Sequence, residues 1–376
     1  MQSRLPSCEV GNVRLDVAGA FRRLLGVYPC AMAVFVSRTW PHCGPALLAA
    51  LAVLVTAALP EPAAAAPPWS GRDFPAKYDL RKLGRVSKVG KQNRHSTCWI
   101  FAATGSLESC LLPRTRLDVS ENHMANLQGS RLRFEGRAPS TISTAYLARW
   151  EGPVLARDDP YPRPGASREG LRAVRHVQMV LFLPARRRPF GNAAIKWAVM
   201  KYGAVDAIVA YEHRDLNKAT GAYYSRSKDL DHHVCIVGWD DRYPAGRFLR
   251  RPPGPGAFLI KNSWGTSFGK GGYFWISYHD RSLGTTLTVF NGVESAANHD
   301  AIYQHDALGW SKSIGYQSTA AWFAARYTSG GDGSVTAASF YTAKPGATYE
   351  VRVAPSLDGI AAAPAAGSGT LAVGGY

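Results

Sequence analysis

The sequence predicts an α+β fold, with a helical first half, a β-rich second half and a cleft where they meet, followed by a small all-β module. Three observations predict it. Residues 98–112 form an apolar run in which Phe101, Gly105, Glu108 and Leu112 follow at three- and four-residue steps. Beyond Gly203 the pattern changes to short apolar or alternating runs, most of them separated by glycine and proline. Around Ala296–Asp300 the chain becomes small and polar before new strand-like pieces begin.

The elements follow in chain order. Ala46–Leu59 is an apolar block preceded by Arg38 and followed by Pro60-Glu61-Pro62 and an alanine run. It is shorter than the roughly 20 residues of a membrane span and fits the h-region of a secretory signal. Residues 1–66 therefore read as a leader, cleaved within Ala57–Ala66, with Met32 as a more ordinary start. Pro67–Gly71 is a lead-in, and the folded part begins near Pro75–Arg81. The next helix is expected from Cys98 to Leu112, with Ser96 and Thr97 as candidate N-caps and Pro113 as its stop. Asp118–His123 caps a short second helix. Residues 129–140 are loop, Ser143–Trp150 is helical, Gly152–Arg168 is loop, and Asn192–Tyr202 is a helix closed by Gly203. Val205–Tyr211, Val234–Trp239, Ala257–Lys261 and Gly272–Tyr278 read as strands. After the linker, Ser339–Tyr341 and Tyr349–Val353 are strand-like and Gly330–Gly333 is a turn.

With 376 residues, 46% of them hydrophobic, the chain can bury a large core. Its formal charge is +17, but no nucleic-acid motif accompanies it, and Arg186-Arg187-Arg188 reads as a solvated face. Cys8, Cys30 and Cys43 fall in the leader, leaving Cys98, Cys110 and Cys235. That odd, sparse set is no disulfide framework, so at least one thiol stays free.

Cys98 stands at a helix N-terminus, where the backbone dipole favours thiolate, the nucleophilic form. His232 and His233 open a strand, and an imidazole there can take a thiol proton and return it to a leaving amine. Adjacent strand residues point to opposite faces, so only one of the two can face Cys98. Asn262 can orient the ring, and Trp264 can shield that bond from water. The Gln92 amide can donate to an oxyanion beside the Cys98 backbone N–H. Cys235 sits in a strand interior as a packed thiol. Cys110 lies about 120° round the helix from Cys98, at about 100° per residue, and faces elsewhere.

Gln92-x5-Cys98-Trp99, Asp231-His232-x-Val234-x-x-Val237-Gly238-Trp239, Lys261-Asn262-Ser263-Trp264-Gly265-Thr266 and Gly272-Tyr273 resemble the papain family of cysteine peptidases in order and spacing, from Tyr78 to Tyr278. The resemblance implies a papain-like fold, a helical lobe and a β-barrel-like lobe with the active site between them. It implies Cys98 as nucleophile, His232 as base and acid, Asn262 as its orienter, Gln92 as oxyanion donor, and Trp99, Trp264 and Ser96 as substrate-binding or supporting residues, with no metal or cofactor. The family's histidine lies two residues before the valine and six before the glycine, which selects His232 and leaves His233 where a small residue is usual. Where the family has Cys-Gly-Ser-Cys this chain has His95-Ser96-Thr97-Cys98, so His95 replaces a disulfide cysteine and Ser96 adds a side chain beside the substrate path. Ile100 replaces an alanine. The family's glycine pair after the second helix is missing near Gly136–Ser140.

Tyr303–Trp310, Ala320–Ala325, Ala338–Thr342 and Tyr349–Val351 resemble the lectin-like β domain that follows some bacterial peptidases of this family, and Ala145–Val154 resembles the same subgroup. The expected organisation is a leader over 1–66, a peptidase over 67–295 and an incomplete lectin-like module over 300–376. The expected product is a secreted or cell-surface cysteine peptidase acting on polypeptides. It would have no stable membrane span after signal cleavage and no nucleic-acid partner, and its module would bind surface carbohydrate or protein. The same triad also serves amide hydrolysis or acyl transfer on a non-protein substrate. A weak or inactive surface-binding protein is the alternative outside catalysis.

Overall fold

The computed structural model describes residues 66–132, 134–314, 320–343 and 345–376, together with strands at Tyr28–Pro29, Met32–Ser37 and Ala50–Ala58. Helix α1, Cys98–Leu111, is buried at every position from Cys98 to Ser109. A helix apolar nearly all round has to run through a core rather than over it. On one side Trp99, Ile100, Ala103 and Leu107 pack with Val119, Met124, Tyr146 and Phe290. On the other, Ala102 joins Cys235, Ile236 and Leu259 in the core of the sheet. Gly105 permits this approach, since a Cβ there would meet Cys235 Sγ at 3.0 Å.

Helices α2 (Glu121–Leu127) and α3 (Ser140–Ala148) complete the helical lobe, and α4 (Ala193–Lys201) packs on the sheet. The expected cap of α2 is Ser120, whose Oγ accepts from the His123 N–H at 2.9 Å. The caps expected for α1 are absent. Thr97 Oγ1 instead bonds the Tyr161 hydroxyl at 2.8 Å, and no side chain caps the helix.

Among the described residues the main sheet has ten strands. Its path runs Gly374–Gly375, Arg175–Leu183, Leu287–Ser295, Val205–Val209, His232–Asp240, Ala257–Lys261, Tyr273–Ser277, Ala222–Tyr223 and Leu216–Asn217, with Lys77–Asp79 on a side branch. The strands expected from the sequence fall in its centre. Arg175–Leu183 and Leu287–Ser295, an antiparallel pair over eight registered positions, go unassigned in the sequence reading. His232–Asp240 is central, pairing with Val205–Val209, with Ala257–Lys261 and with Lys77–Asp79. A Cβ at Gly238 would meet the Tyr78 carbonyl oxygen at 2.3 Å, so glycine is required where that third strand crosses. Arg186 is not the solvated residue expected of it. Its guanidinium donates to the carbonyls of Pro189, Tyr278, Asp280 and Leu283, and only Arg187 and Arg188 are exposed.

Ala301–Gln304, Ala320–Thr328, Ser334–Phe340, Ala347–Ala354 and Ala365–Leu371 are strands of antiparallel sheets around Tyr327, Phe340 and Val351. Residues 374–376 dock on the peptidase sheet, where Val180 and Tyr376 exchange backbone hydrogen bonds of 2.7 and 3.0 Å. Ala50–Ala58, from the block read as an h-region, lies between Ala320–Thr328 and Ala347–Ala354. Met32–Ser37 pairs with Ala301–Gln304 and Ser334–Phe340. Residues 59–65 of the expected cleavage region, Arg38, Cys8, Cys30 and Cys43 lie outside the described residues. Among the described residues no helix is long and apolar enough to cross a membrane.

Candidate active site

Cys98 opens α1 and is 6% exposed. Its sulfur is within the influence of the backbone N–H groups of Trp99 and of His233, which sets it beside the start of the His232 strand. Burial pushes the thiol up, and those two N–H groups pull it back only in part. The thiolate preference expected from the helix N-terminus is therefore outweighed by desolvation in the resting protein.

His232 Nε2 lies 2.8 Å from Asn262 Oδ1, which also accepts from the Ser263 N–H at 2.8 Å. An oxygen fixed as acceptor by that N–H receives the imidazole proton, so His232 carries hydrogen on Nε2 and leaves Nδ1 a lone pair. Trp264 stacks on the imidazole with centroids 4.5 Å apart, and Tyr211 closes the edge at 5.9 Å. This dry cover lowers the His232 pKa to about 4; the Asn262 bond opposes the shift, and His233 and His213 add to it.

Gln92 sits in a loop zipped onto the Asn262–Gly265 segment. Its N–H donates to the Ser263 carbonyl at 2.8 Å, and Gly265 N–H donates to Gly90 O at 2.9 Å. The side-chain oxygen accepts from Ser263 Oγ at 2.7 Å and from Trp264 Nε1 at 3.1 Å. That fixes the amide orientation and turns Nε2 outward. One of its hydrogens goes to His95 O at 2.6 Å, and the other has no partner among the described residues.

The remaining residues divide. Ser96 is held through its N–H to the Phe134 carbonyl at 3.0 Å. His95, in place of a disulfide cysteine, packs edge-on against Phe134 and Tyr161. Trp99 is fully buried in the helical core, so any support it gives is through packing. Cys235 is a packed thiol, its Sγ on the Ala102 carbonyl at 3.3 Å, and Cys110 bonds Leu107 O within its own helix. Burial drives both thiols up to about 12, and all three described cysteines are free.

Sequence reasoning misses three contributors. Ser263 anchors Gln92, and its signal was its place between Asn262 and Trp264. Tyr161 donates to the Gln92 carbonyl at 2.8 Å and so accepts from Thr97, but it sits in a proline-rich loop with no signal of its own. Asp206, a lone acid in an apolar strand, bonds His233 Nδ1 at 2.9 Å and accepts from Ser140 Oγ at 2.8 Å.

The model of the papain family cysteine proteases matches residues 74–292, more than half of the chain. The chain belongs to the papain family of cysteine proteases. A lectin-like domain matches residues 302–376. Cathepsin K of Mus musculus is 28% identical over 214 residues, 55% of this chain and 60% of that protein. Testin-2 of Rattus norvegicus is 28% identical over 209 residues, 53% of this chain and 59% of that protein. The solved cysteine protease and lectin-like domains of Cwp84, a surface layer associated protein of Clostridium difficile, match with a TM-score of 0.55 at 29% identity, covering 60% of this chain and 53% of that one. The chain thus spans less than two thirds of the length of these relatives.

Proposed function

We propose that this papain-family chain is an exported cysteine peptidase that hydrolyses peptide bonds through Cys98, His232, Asn262 and Gln92. The observation that carries the reading is the His232–Asn262–Trp264 arrangement, which fixes the ring proton on Nε2 and frees Nδ1. In acylation the Cys98 S–H gives its proton to Nδ1 and the sulfur bonds the peptide carbonyl carbon. The resulting oxyanion takes hydrogen bonds from the free Gln92 amide hydrogen and the Cys98 backbone N–H. Collapse of the tetrahedral centre breaks the C–N bond, and the imidazolium returns its proton to the leaving amine. Water, deprotonated by the same nitrogen, then hydrolyses the thioester and regenerates the S–H and the neutral ring. Trp264 keeps competing water off the His232–Asn262 bond, and Ser96 narrows the substrate path.

The proposed organisation is a leader over 1–66, a peptidase over 67–295 and a lectin-like module over 300–376, the module holding surface carbohydrate or protein while the peptidase works outside the cell. Cleavage of the leader would withdraw Ala50–Ala58 from between two strands of the module. Amino-terminal sequencing of the exported protein tests this, and a mature chain that retains residues 50–58 would remove the leader assignment.

Cys98→Ala should abolish both turnover and labelling by a thiol-reactive epoxide; turnover that survives it would take Cys98 out of its role. A second reading, a weakly active binding protein, is favoured by the shifts that disfavour charge on both Cys98 and His232. Epoxide labelling separates the two, because an activated sulfur reacts fast at neutral pH and an ordinary buried thiol slowly.

A further inference from the structure

The loop from Gln92 to Thr97 carries the proposed oxyanion donor at one end and leads into Cys98 at the other, and its turn does not hold itself. Asn93 is left-handed at φ 58°, a backbone region that residues with a Cβ enter at a cost, asparagine less than most. The hydrogen bond that closes the turn, from the His95 N–H to the Gln92 carbonyl, is long at 3.3 Å. No disulfide fixes the loop, since the described cysteines are all free. Its support comes from outside. Ser263 and Trp264 hold the N–H and side-chain oxygen of Gln92, and the Phe134 carbonyl holds the Ser96 N–H.

Tyr161 adds a tie of another kind. Its hydroxyl donates to the Gln92 carbonyl at 2.8 Å, and with that hydrogen spent its oxygen accepts from Thr97 Oγ1 at 2.8 Å. Thr97 is the rigid end of this bridge. It is fully buried, and its carbonyl accepts from the Ile100 and Phe101 N–H groups of the first turn of α1. The phenol ring is itself fixed, stacked on Phe134 with centroids 5.6 Å apart and edge-on to Phe101 and His95. Burial raises the hydroxyl to about 12, so it keeps its proton at neutral pH. One phenol oxygen thus hangs the residue with the amide donor from the residue whose peptide bond carries the Cys98 N–H. Oxyanion donors act over a narrow range, about 2.7–3.1 Å from the developing charge, so the spacing of these two N–H groups matters to the reaction. We propose that Tyr161 is a positioning residue that sets the Gln92 amide at the spacing from the Cys98 N–H that an oxyanion needs. It acts through Gln92 and touches no substrate.

The proposal rests on the peptidase reading and is tested apart from it. In the full chain Tyr161→Phe keeps the ring and deletes the bridge. Three quantities are compared with wild type. They are kcat on a cleaved peptide, affinity for a peptide aldehyde, whose tetrahedral adduct on sulfur puts an oxygen in the oxyanion site, and alkylation of Cys98 by iodoacetamide, which forms no oxyanion. The first two should fall about tenfold, short of the 10²–10³ that outright loss of a donor costs, while the alkylation rate stays unchanged. Combined with Gln92→Ala, the variant should lower kcat by less than the product of the two separate losses, because both act at one donor. Wild-type kcat and aldehyde affinity in Tyr161→Phe overturn the proposal. So does alkylation that slows in step with kcat, the mark of a general disturbance, and so do losses that multiply in the double variant. If Tyr161→Phe does not fold, Thr97→Val breaks the other half of the bridge and is judged by the same three measures. If the wild type cuts no peptide and Cys98 resists the epoxide, the peptidase reading fails first and takes this proposal with it; an active wild type with an indifferent Tyr161→Phe defeats the proposal alone.

Discussion

His232 and His233 are neighbours on one strand, yet they inhabit opposite chemistries. The first faces the rings of Trp264 and Tyr211 and an amide oxygen, a dry and uncharged setting that keeps it neutral down to about pH 4. The second faces a carboxylate on the helix side of the sheet. That side also holds Glu108, Glu121 and Lys261, which line one narrow cavity with His233 and Cys235. The pleat alone makes the difference, because one residue along a strand is a half-turn round it. One face sets the His232 ring against an amide oxygen and two aromatic rings, and the other ties His233 to Asp206 and, through it, to Ser140 of the helical lobe.

The comparison breaks most visibly if the histidines are exchanged in role. His232→Ala removes the proposed base and should lower kcat by about 10²–10⁴-fold, with the fold retained by circular dichroism. If His233 substituted for it, kcat would hardly move, and the assignment by register would be wrong. On the other face Asp206→Ala strands the imidazole and the Ser140 hydroxyl. Breaking a buried pair from one side costs about 3–5 kcal/mol, so a large drop in the denaturation midpoint is expected. An unchanged midpoint would mean that the pair does not join the lobes. Gln92→Ala comes next. It deletes the proposed oxyanion donor, worth about 10²–10³ in kcat, and also the partner of Ser263 and Trp264. Gln92→Glu keeps an acceptor for those two but removes the free N–H, so it should share the kcat loss at less cost in stability.

Much of this contrast was legible in the chain. Register against Val234 and Gly238 selected His232, and alternation required His233 to face away. Asn262 bonds the His232 ring, Trp264 stacks on it and Gln92 bonds Ser263 and Trp264, each fixed to its neighbours in a short, locally bonded segment. What the sequence did not reveal is long-range. Asp206 meets His233, 27 residues on, and Ser140, 66 residues back, and no local pattern encodes either pairing. Arg186 looked solvated as one of three arginines, but it is tied to carbonyls more than 90 residues away. The strands Arg175–Leu183 and Leu287–Ser295 went unread although Pro184 closes the first, and Gly292 interrupts the second. The expected caps of α1 failed because Tyr161, from a loop, captured Thr97.

The smallest effect expected is also the one that compares the two faces most directly. Glu121 begins α2, where the helix dipole and its own N–H favour the charged form. Burial outweighs both, and with Glu108 beside it the carboxyl rises to about 8 from an ordinary 4.5. Between those values the folded chain holds a proton that the unfolded chain has released, so this group costs stability as pH rises from about 4.5 to 8. His232 has the opposite sign. Its pKa falls from 6.5 to about 4, so the unfolded chain binds the extra proton in that window and stability is lost as pH falls through it. Thermal midpoints followed from pH 4 to 8 should therefore carry a contribution from each of these two groups, one on either side of the sheet. Glu121→Gln should flatten the alkaline limb by a few degrees and leave the acid limb, while His232→Gln should flatten the acid limb and leave the alkaline one. If both variants flatten the same limb, the two faces are electrostatically one site, and the division of labour between the two histidines does not hold.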